Sequence, residues 1–185
     1  MAKVVVGMTL SLDGYINDRS GSVSALYPDL AALQETEPLR ESMQNTGAVV
    51  MAWKEFAMAE DPDWVVGYEY QVPIFVVGDK VPKKRPKETR QLTFTFVADG
   101  FASAIHQAKH AAGKKNVTII GSANITQECL REGLVDEFQV DIIPIFLLNG
   151  FRPFENLGTG LIQMERIKVV ELPAGRIHIK FRIIK

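Results

Sequence analysis

The sequence predicts an α/β protein with a mostly parallel central sheet that ends in an antiparallel hairpin. Short apolar runs of strand length alternate with segments of helical periodicity, which is the order typical of β–α–β connections. Several runs contain no polar residue, such as IFVV at 74–77, and this indicates strands that are buried on both faces of a sheet. Two β-rich segments flank a turn at 173–175 and predict the C-terminal hairpin.

The first half of the chain is predicted to contain three strands and two helical segments. Asp29 is a suitable N-cap for the first helix, because its carboxylate can accept hydrogen bonds from free amides. Pro38 is expected to break or kink that helix, since proline lacks an amide proton. In order, the elements are a strand at 3–10, a helix at 29–45, a strand at 48–51, a helical segment at 53–59 and a strand at 74–77.

The second half continues the alternation and adds the hairpin. A basic, proline-containing loop at 83–87 follows the 74–77 strand. We expect the four apolar runs at 4–8, 49–51, 74–77 and 117–120 to be interior strands of the sheet. The remaining predicted elements are a strand at 92–97, a helix at 101–112, a strand at 116–120, a helix from 124 to about 133, a strand at 136–143 and hairpin strands at 165–172 and 176–184.

Composition limits the range of functions. The chain has 185 residues and a formal net charge of −1, so it offers no electrostatic basis for binding nucleic acid or an anionic membrane. No apolar stretch reaches the length of a membrane span. Cys129 is the only cysteine, which excludes an intramolecular disulfide and fits a reducing compartment. We therefore expect one domain over residues 1–185, located in the cytoplasm.

Four segments, taken in their order and spacing, carry a resemblance to a known family. They are SLDGYI at 11–16, VMAWKEF at 50–56, IIGS at 119–122 and GLVDEF at 133–138, the last followed by Pro144 and by GFRPF at 150–154. In these segments the chain resembles the C-terminal reductase domain of the bifunctional riboflavin-biosynthesis deaminase-reductase. The resemblance implies a dihydrofolate-reductase-like, three-layer α/β/α fold. It also implies 5-amino-6-(5-phosphoribosylamino)uracil reductase activity, NADPH as cofactor, a small-molecule substrate and a homodimer.

The resemblance also indicates which residues contact the cofactor. Members of this fold bind NADPH along the carboxyl ends of the strands, where helix N-termini present free amides to phosphates. The matching cofactor-binding positions in this chain are Thr9, Ala52, Trp53, Lys54, Val77, Gly78, Asp79, Gly121, Ser122, Ala123 and Asn124.

Several of these positions depart from the family pattern. Ala52 and Trp53 replace a glycine and an arginine that pair with phosphate, and Glu55 puts a carboxylate where a phosphate would rest. Ser122 replaces the second of two glycines. Asp79 would repel a 2′-phosphate but could bond a 2′-hydroxyl, so NADH is an alternative cofactor. A packing role for Trp53 and helix capping by Ser122 are the structural alternatives.

Two acidic residues are the candidates on the substrate side. The resemblance places Asp13 near the nicotinamide as the catalytic and substrate-binding residue, and Glu137 as a second substrate-binding residue. Asp13-Gly14 also has the composition of a simple turn, and the 136–137 acidic pair that of a strand start. We expect no metal site, because His106 and His110 share a helix face without a third ligand.

Three functions from different classes remain open on the sequence alone. The first is an NAD(P)H-dependent reductase of a small polar heterocycle or its ribosyl precursor. The second is a non-catalytic ligand-binding homologue with a degraded dinucleotide site, and the third is a reductase that uses a flavin stacked on Trp53. The homodimer is also supported by the apolar alternation of the last strand, in which Ile177, Ile179, Phe181 and Ile183 share one face.

Overall fold

The computed structural model describes residues 2–58, 61–121, 123–155, 157–158 and 160–185. It contains an eight-stranded sheet in the order β4-β3-β2-β5-β1-β6-β8-β7. The strands are β1 Val4–Ser11, β2 Thr46–Ala52, β3 Ile74–Val77, β4 Phe94–Val97, β5 Asn116–Ile120, β6 Glu137–Ile143, β7 Met164–Glu171 and β8 Ile177–Ile183. The helices are α1 Leu30–Leu33, α2 Glu37–Asn45, α3 Trp53–Phe56, α4 Phe101–Ala112 and α5 Ala123–Arg131. Short 3₁₀ segments lie at Ser24–Leu26, Pro62–Gly67 and Pro173–Gly175.

The sheet confirms the predicted fold class. Strands β1 to β6 are all parallel to one another, whereas β8 runs antiparallel to both β6 and β7. The four strands predicted to be interior, β1, β2, β3 and β5, all lie inside the sheet, and β4 and β7 form its edges. The predicted C-terminal hairpin is β7–β8.

The two faces of the sheet pack against different partners, because side chains alternate along each strand. On one face Val4, Val6 and Val50 join a core with helices α4 and α5, in which Cys129 is fully buried. Burial raises the pKa of the Cys129 thiol to about 12, which keeps it protonated and unreactive. On the other face, Met51 and Ile74 pack into an aromatic cluster that includes Phe56 of α3.

The first predicted helix is two helices in the structure, α1 and α2. Pro38 lies in the first turn of α2, where its missing amide costs no helical hydrogen bond. The side chain of Asp29 does not cap α1, contrary to the prediction. Its carboxylate instead accepts hydrogen bonds from Arg176 of the C-terminal hairpin, a long-range ion pair that replaces the local capping bond. Helix α3 is also shorter than predicted and ends at Phe56.

The apolar face of β8 is only partly covered within the chain. Ile179, Phe181 and Ile183 pack against the core that contains α4 and α5. Ile177 is 40% exposed, and Val169, which lies opposite Ile179 on β7, is 50% exposed. The hairpin therefore carries an apolar surface at the edge of the sheet.

Candidate functional site

A cleft of about 650 Å³ opens on the face of the sheet beside α1 and α2. Its floor consists of strand side chains, among them Thr9, Thr118, Asp141 and His178. Its walls are mainly apolar and aromatic, and include Leu30, Leu33, Leu39, Trp64 and Tyr68. Since ligand pockets are typically apolar with a few polar groups that orient the ligand, this cleft is the candidate site.

The floor of the cleft lies near the carboxyl ends of the strands. Thr9 and Asp141 are register partners on the parallel strands β1 and β6, two residues before each strand ends. In open α/β sheets, ligands bind at this end of the strands. Thr9, a predicted cofactor-binding residue, therefore borders the cleft at the expected end of the sheet.

The structure brings most of the predicted cofactor-binding residues together at the carboxyl ends of β2, β3 and β5. We call this region the carboxyl edge. Ala52 is the register partner of Val77, and Met51 is the partner of Ile120, so the residues that follow β2, β3 and β5 meet there. This edge contains Ala52, Trp53, Lys54, Val77, Gly78, Asp79, Gly121, Ala123 and Asn124. Ser122, the remaining predicted residue, lies outside the described residues.

Trp53 packs closely against Gly78. A β-carbon at Gly78 would lie 2.8 Å from the β-carbon of Trp53, so glycine is required for this approach. The Trp53 ring also contacts two phenylalanines, with ring centroids 5.6 Å from Phe56 and 6.3 Å from Phe96. The indole therefore has the packing role that the sequence left open as an alternative.

Glu55 lies against Gly121, where the resemblance expects a phosphate. A β-carbon at Gly121 would be 3.1 Å from Cγ and 3.2 Å from the carboxyl carbon of Glu55. The Glu55 side chain is half-buried and borders the cleft. The space that Gly121 leaves open, because it has no side chain, is therefore occupied by the Glu55 side chain of the protein itself.

The charges along this edge are mixed. Lys54, Asp79 and Lys80 are exposed beside it. In the basic loop, Lys84 donates to Asp61 and Asp63 at distances of 2.9 and 2.8 Å. Hydrogen bonds from Lys84 are the main reason that the pKa values of both carboxyl groups lie below their ordinary values. Part of the predicted basic loop is thus paired with acidic side chains.

Asp13 links two loops at the carboxyl end of the sheet. Its carboxylate accepts hydrogen bonds from the Ser11 hydroxyl at 2.6 Å and from the amides of Leu147 and Leu148 at 3.1 and 2.8 Å. Desolvation raises the pKa of Asp13, but these hydrogen bonds outweigh it and the pKa is lowered. Asp13 is therefore held ionised, in a position that orients the loop leading to Asn17 at the cleft.

Glu137 is not brought together with the other predicted site residues. It begins β6, at the end of the sheet opposite to Asp13. Its buried carboxylate pairs with Lys3 at 2.5 Å and with Lys180 at 3.1 Å. Its contacts within the described part of the chain are those of a structural ion-pair network, and its role in binding a substrate stays a prediction.

The cleft floor contains a buried polar network that the sequence reasoning did not find. Nδ1 of His178 lies 2.7 Å from Oδ1 of Asp141, and the two residues are register partners on β8 and β6. Arg176, which is fully buried, binds Asp29 at 2.7 and 3.3 Å and places Nη1 3.7 Å from Asp141. The available signal in the sequence was the alternation of β8, which puts His178 on the face opposite to its isoleucines.

Two tyrosines supply hydroxyl groups at the wall of the cleft. Tyr70 lies 2.8 Å from the Ser42 hydroxyl, and Tyr68 borders the cleft beside Trp64. Burial raises the pKa of both Tyr68 and Tyr70. Both side chains therefore stay neutral and act as hydrogen-bonding groups rather than as bases.

Membrane spans and metal clusters are both absent from the described residues. Across these ranges of the chain, no helix combines the length and apolar character that crossing a bilayer requires. Within the same ranges, no three histidine, cysteine or carboxylate side chains lie close enough to hold a metal ion.

Comparison with known proteins identifies one matching family and several similar structures. The family model named RibD C-terminal domain matches residues 2–175. A protein from Shewanella sp. PV-4, provisionally assigned to riboflavin biosynthesis, is 22% identical with a TM-score of 0.77, and each chain is covered completely.

Two enzymes with named activities share the fold. The Thermotoga maritima diaminohydroxyphosphoribosylaminopyrimidine deaminase/5-amino-6-(5-phosphoribosylamino)uracil reductase is 12% identical with a TM-score of 0.70, and the match covers 99% of this chain and 57% of that one. Enterococcus faecalis dihydrofolate reductase, solved with NADP(H), is 10% identical with a TM-score of 0.61, over 99% and 97% of the two chains. These TM-scores establish the shared fold, which confirms the dihydrofolate-reductase-like architecture.

Proposed function

Because the chain belongs to the RibD C-terminal domain family, we propose that it is an NAD(P)H-dependent reductase that transfers hydride to a small polar heterocycle or its ribosyl precursor. The reaction resembles that of 5-amino-6-(5-phosphoribosylamino)uracil reductase in riboflavin biosynthesis. The observation that carries this proposal is the cleft of about 650 Å³ at the carboxyl ends of the parallel strands. That volume is in the range of pockets that hold small organic ligands.

The residues around Gly121 fit the phosphate portion of a nicotinamide dinucleotide, except for the Glu55 side chain. The nine-residue helix α5 begins at the buried Ala123 and has free amides at its first turn. Gly121 and Asn124 flank this turn, and Lys54 supplies a positive charge on the neighbouring turn. Glu55 must rotate away from Gly121 when a phosphate binds. The flexible tip of a glutamate allows this rotation.

The bound cofactor would supply hydride from its reduced nicotinamide ring. In this proposal Thr9 borders the nicotinamide, Gly121 and the segment from Ala52 to Lys54 border the phosphates, and Val77 to Asp79 follow the adenosine half. Ser122 is included on the sequence alone. NADPH is the expected cofactor. NADH is the alternative, because the exposed carboxylate of Asp79 at the adenosine end would favour a 2′-hydroxyl over a 2′-phosphate.

The chain itself contributes binding, orientation and exclusion of water. The apolar walls around Leu30 and Leu33 shield the reacting groups, which strengthens their electrostatic interactions. Asp13 acts as a positioning residue: it anchors the loop that carries Ile16 and Asn17 to the cleft. Hydride transfer requires this kind of alignment more than it requires a strong acid at Asp13.

The proposal is tested by mixing the purified protein with NADPH and 5-amino-6-(5-phosphoribosylamino)uracil and following the loss of nicotinamide absorbance. We expect substrate-dependent oxidation of NADPH, and a weaker response with NADH. Binding of either dinucleotide is measured separately through the fluorescence of Trp53 and Trp64. Absence of both turnover and dinucleotide binding would contradict the proposed function.

A second function is favoured by the side chains that fill the carboxyl edge. Glu55 packs against Gly121, and Trp53 packs against Gly78. This arrangement is expected of a non-catalytic ligand-binding homologue with a degraded dinucleotide site. Calorimetry with NADPH, NADH and flavin mononucleotide separates the alternatives. A pyrimidine ligand that binds in the absence of any cofactor binding would support the ligand-binding function, whereas flavin binding alone would support a flavin reductase.

The proposal extends to assembly and location. The partly exposed apolar face of the β7–β8 hairpin supports a homodimer, because an uncovered face at a sheet edge favours association. The single buried thiol supports function in the reducing cytoplasm. The expected partner is a small-molecule substrate, with no role for nucleic acid or membrane.

A further inference from the structure

We propose that His178, oriented by Asp141, is a catalytic acid that donates a proton to the substrate at the floor of the cleft. This inference rests on the proposed reductase function and deepens it, since it assigns the proton that must accompany the hydride. Asp141 is a positioning residue in this assignment.

The imidazole of His178 lies at the floor of the cleft. Three neighbouring strands put Thr9, Asp141 and His178 side by side on the face that forms the cleft floor. The His178 side chain is 8% exposed and borders the cleft. Within the described part of the chain its ring bonds only through Nδ1, to Asp141 at 2.7 Å. Nε2 is thus the ring nitrogen available to a ligand.

A buried arginine and two carboxylates lie next to His178. Arg176 is fully buried, and its guanidinium is neutralised by Asp29 through two hydrogen bonds. Its Nη1 makes no hydrogen bond to any described residue and lies 3.7 Å from Asp141. A carboxylate that is largely buried requires a compensating charge. Arg176 is already paired with Asp29, and the imidazole of His178 is the group in closest contact with Asp141.

The proton transfer balances with the hydride transfer. A bound nicotinamide would supply the hydride for a new C–H bond at the carbon of a substrate C=O or C=N group. The π electron pair of that group moves to its oxygen or nitrogen, which takes the proton from Nε2 of the imidazolium. The histidine becomes neutral and keeps its Nδ1–H bond to Asp141, as in other oriented imidazoles. Solvent then returns the proton when the product leaves.

Other charged groups surround this pair. They are Arg176 directly before β8, Lys180 on β8, Lys168 on β7, Glu41 on α2 and Asp29 before α1. Asp141 itself lies closest to the ring, at 2.7 Å. The neighbouring lysines pair with Glu41, at 3.1 Å for Lys168 and 3.8 Å for Lys180.

The test compares His178→Gln and Asp141→Asn with the unmodified protein in the NADPH oxidation assay. General acid catalysis contributes roughly 10²–10⁴-fold, so His178→Gln should lower kcat by about 100-fold or more and leave the Kd of NADPH unchanged. Asp141→Asn should lower kcat less and also leave the Kd of NADPH unchanged, because the imidazole loses the carboxylate that orients it. His106→Gln, an exposed substitution on α4, is the control and should change neither quantity.

Folding of each variant is checked by thermal melting, and a second measurement uses the unmodified protein. In histidine ¹⁵N spectra, saturating substrate should shift Nε2 of His178 and leave the signals of His106 unchanged. If His178→Gln keeps its kcat, or if the His178 signal does not respond to a substrate that is turned over, the catalytic role is wrong while the reductase function stands. If the unmodified protein reduces no substrate, the proposed function and this role both fail.

Discussion

Glu55 provides the sharpest test of the cofactor site, because its carboxylate lies where the resemblance expects a phosphate. Replacing it by glutamine keeps the size of the side chain and puts a neutral amide in place of the carboxylate next to Gly121. If a dinucleotide binds along this edge, Glu55→Gln should tighten its binding. The direction follows from removing a like charge next to the pyrophosphate.

The magnitude follows from the distance at Gly121. The carboxyl carbon of Glu55 lies 3.2 Å from the point where a β-carbon of Gly121 would be. Two unit charges about 4 Å apart repel by about 1 kcal/mol in water and about 4 kcal/mol near a protein surface. Glu55 is half-buried and can rotate away, so we expect the lower part of this range, about 1–2 kcal/mol, which corresponds to a roughly five- to thirtyfold lower Kd.

Isothermal titration calorimetry with NADPH at low ionic strength measures this change. Glu132→Gln is the matched control, since Glu132 is exposed beyond the opposite end of α5 and its substitution changes the net charge equally. The gain for Glu55→Gln should shrink at high salt, because salt screens the interaction of partly exposed charges. The Glu132→Gln protein should bind NADPH as the unmodified protein does.

An unchanged Kd for Glu55→Gln would refute the reasoning, because it would mean that no phosphate approaches Gly121. An equal gain in both variants would assign the effect to net charge rather than to this contact. If neither the unmodified protein nor Glu55→Gln binds NADPH, the ligand-binding function becomes the better proposal. A selective gain in Glu55→Gln supports the dinucleotide site.

Three further predictions address stability, cofactor choice and assembly. Desolvation raises the pKa of Glu137, but hydrogen bonds from Lys3 and Lys180 outweigh it and lower the pKa. The ionised Glu137 therefore stabilises the fold fully above its unfolded-state pKa of about 4.3, and this stabilisation is lost as the pH falls through the folded-state pKa. Glu137→Gln should therefore lower the free energy of unfolding by about 2–4 kcal/mol at pH 7 and by little in acid, as measured by melting. A loss of substrate affinity without destabilisation would instead favour a substrate contact for Glu137. Asp79→Asn should shift the NADPH-to-NADH affinity ratio toward NADPH by a factor of about 2–5, since the charge is exposed and screened; an unchanged ratio in calorimetry would remove Asp79 from the adenosine site. Light scattering should give a dimer mass that Val169→Lys reduces to that of a monomer, and a monomer mass for the unmodified protein would contradict the assembly.

The sequence by itself determined the elements that depend on local patterns. The run at 74–77 became the buried strand β3, because only a strand with two covered faces tolerates four consecutive apolar residues. Helix α4 begins and ends where it was predicted, between Gly100 and Gly113, whose positive φ angles of 89° and 62° suit glycine at helix ends. The meeting of the segments that follow β2, β3 and β5 could also be predicted from the sequence, since paired parallel strands bring their carboxyl ends together.

Only the tertiary structure decided how distant side chains pair. His178 and Asp141 are 37 positions apart, and Arg176 and Asp29 are 147 apart, so no local pattern relates the members of either pair. Asp29 was accordingly expected to cap a helix, and its ion pair with Arg176 was not foreseen. The His178–Asp141 contact depends on the register of β8 on β6, and a slip of one residue would turn His178 to the opposite face. Register is set by the packing of the whole sheet, which is why the polar floor of the cleft emerges only in the folded chain.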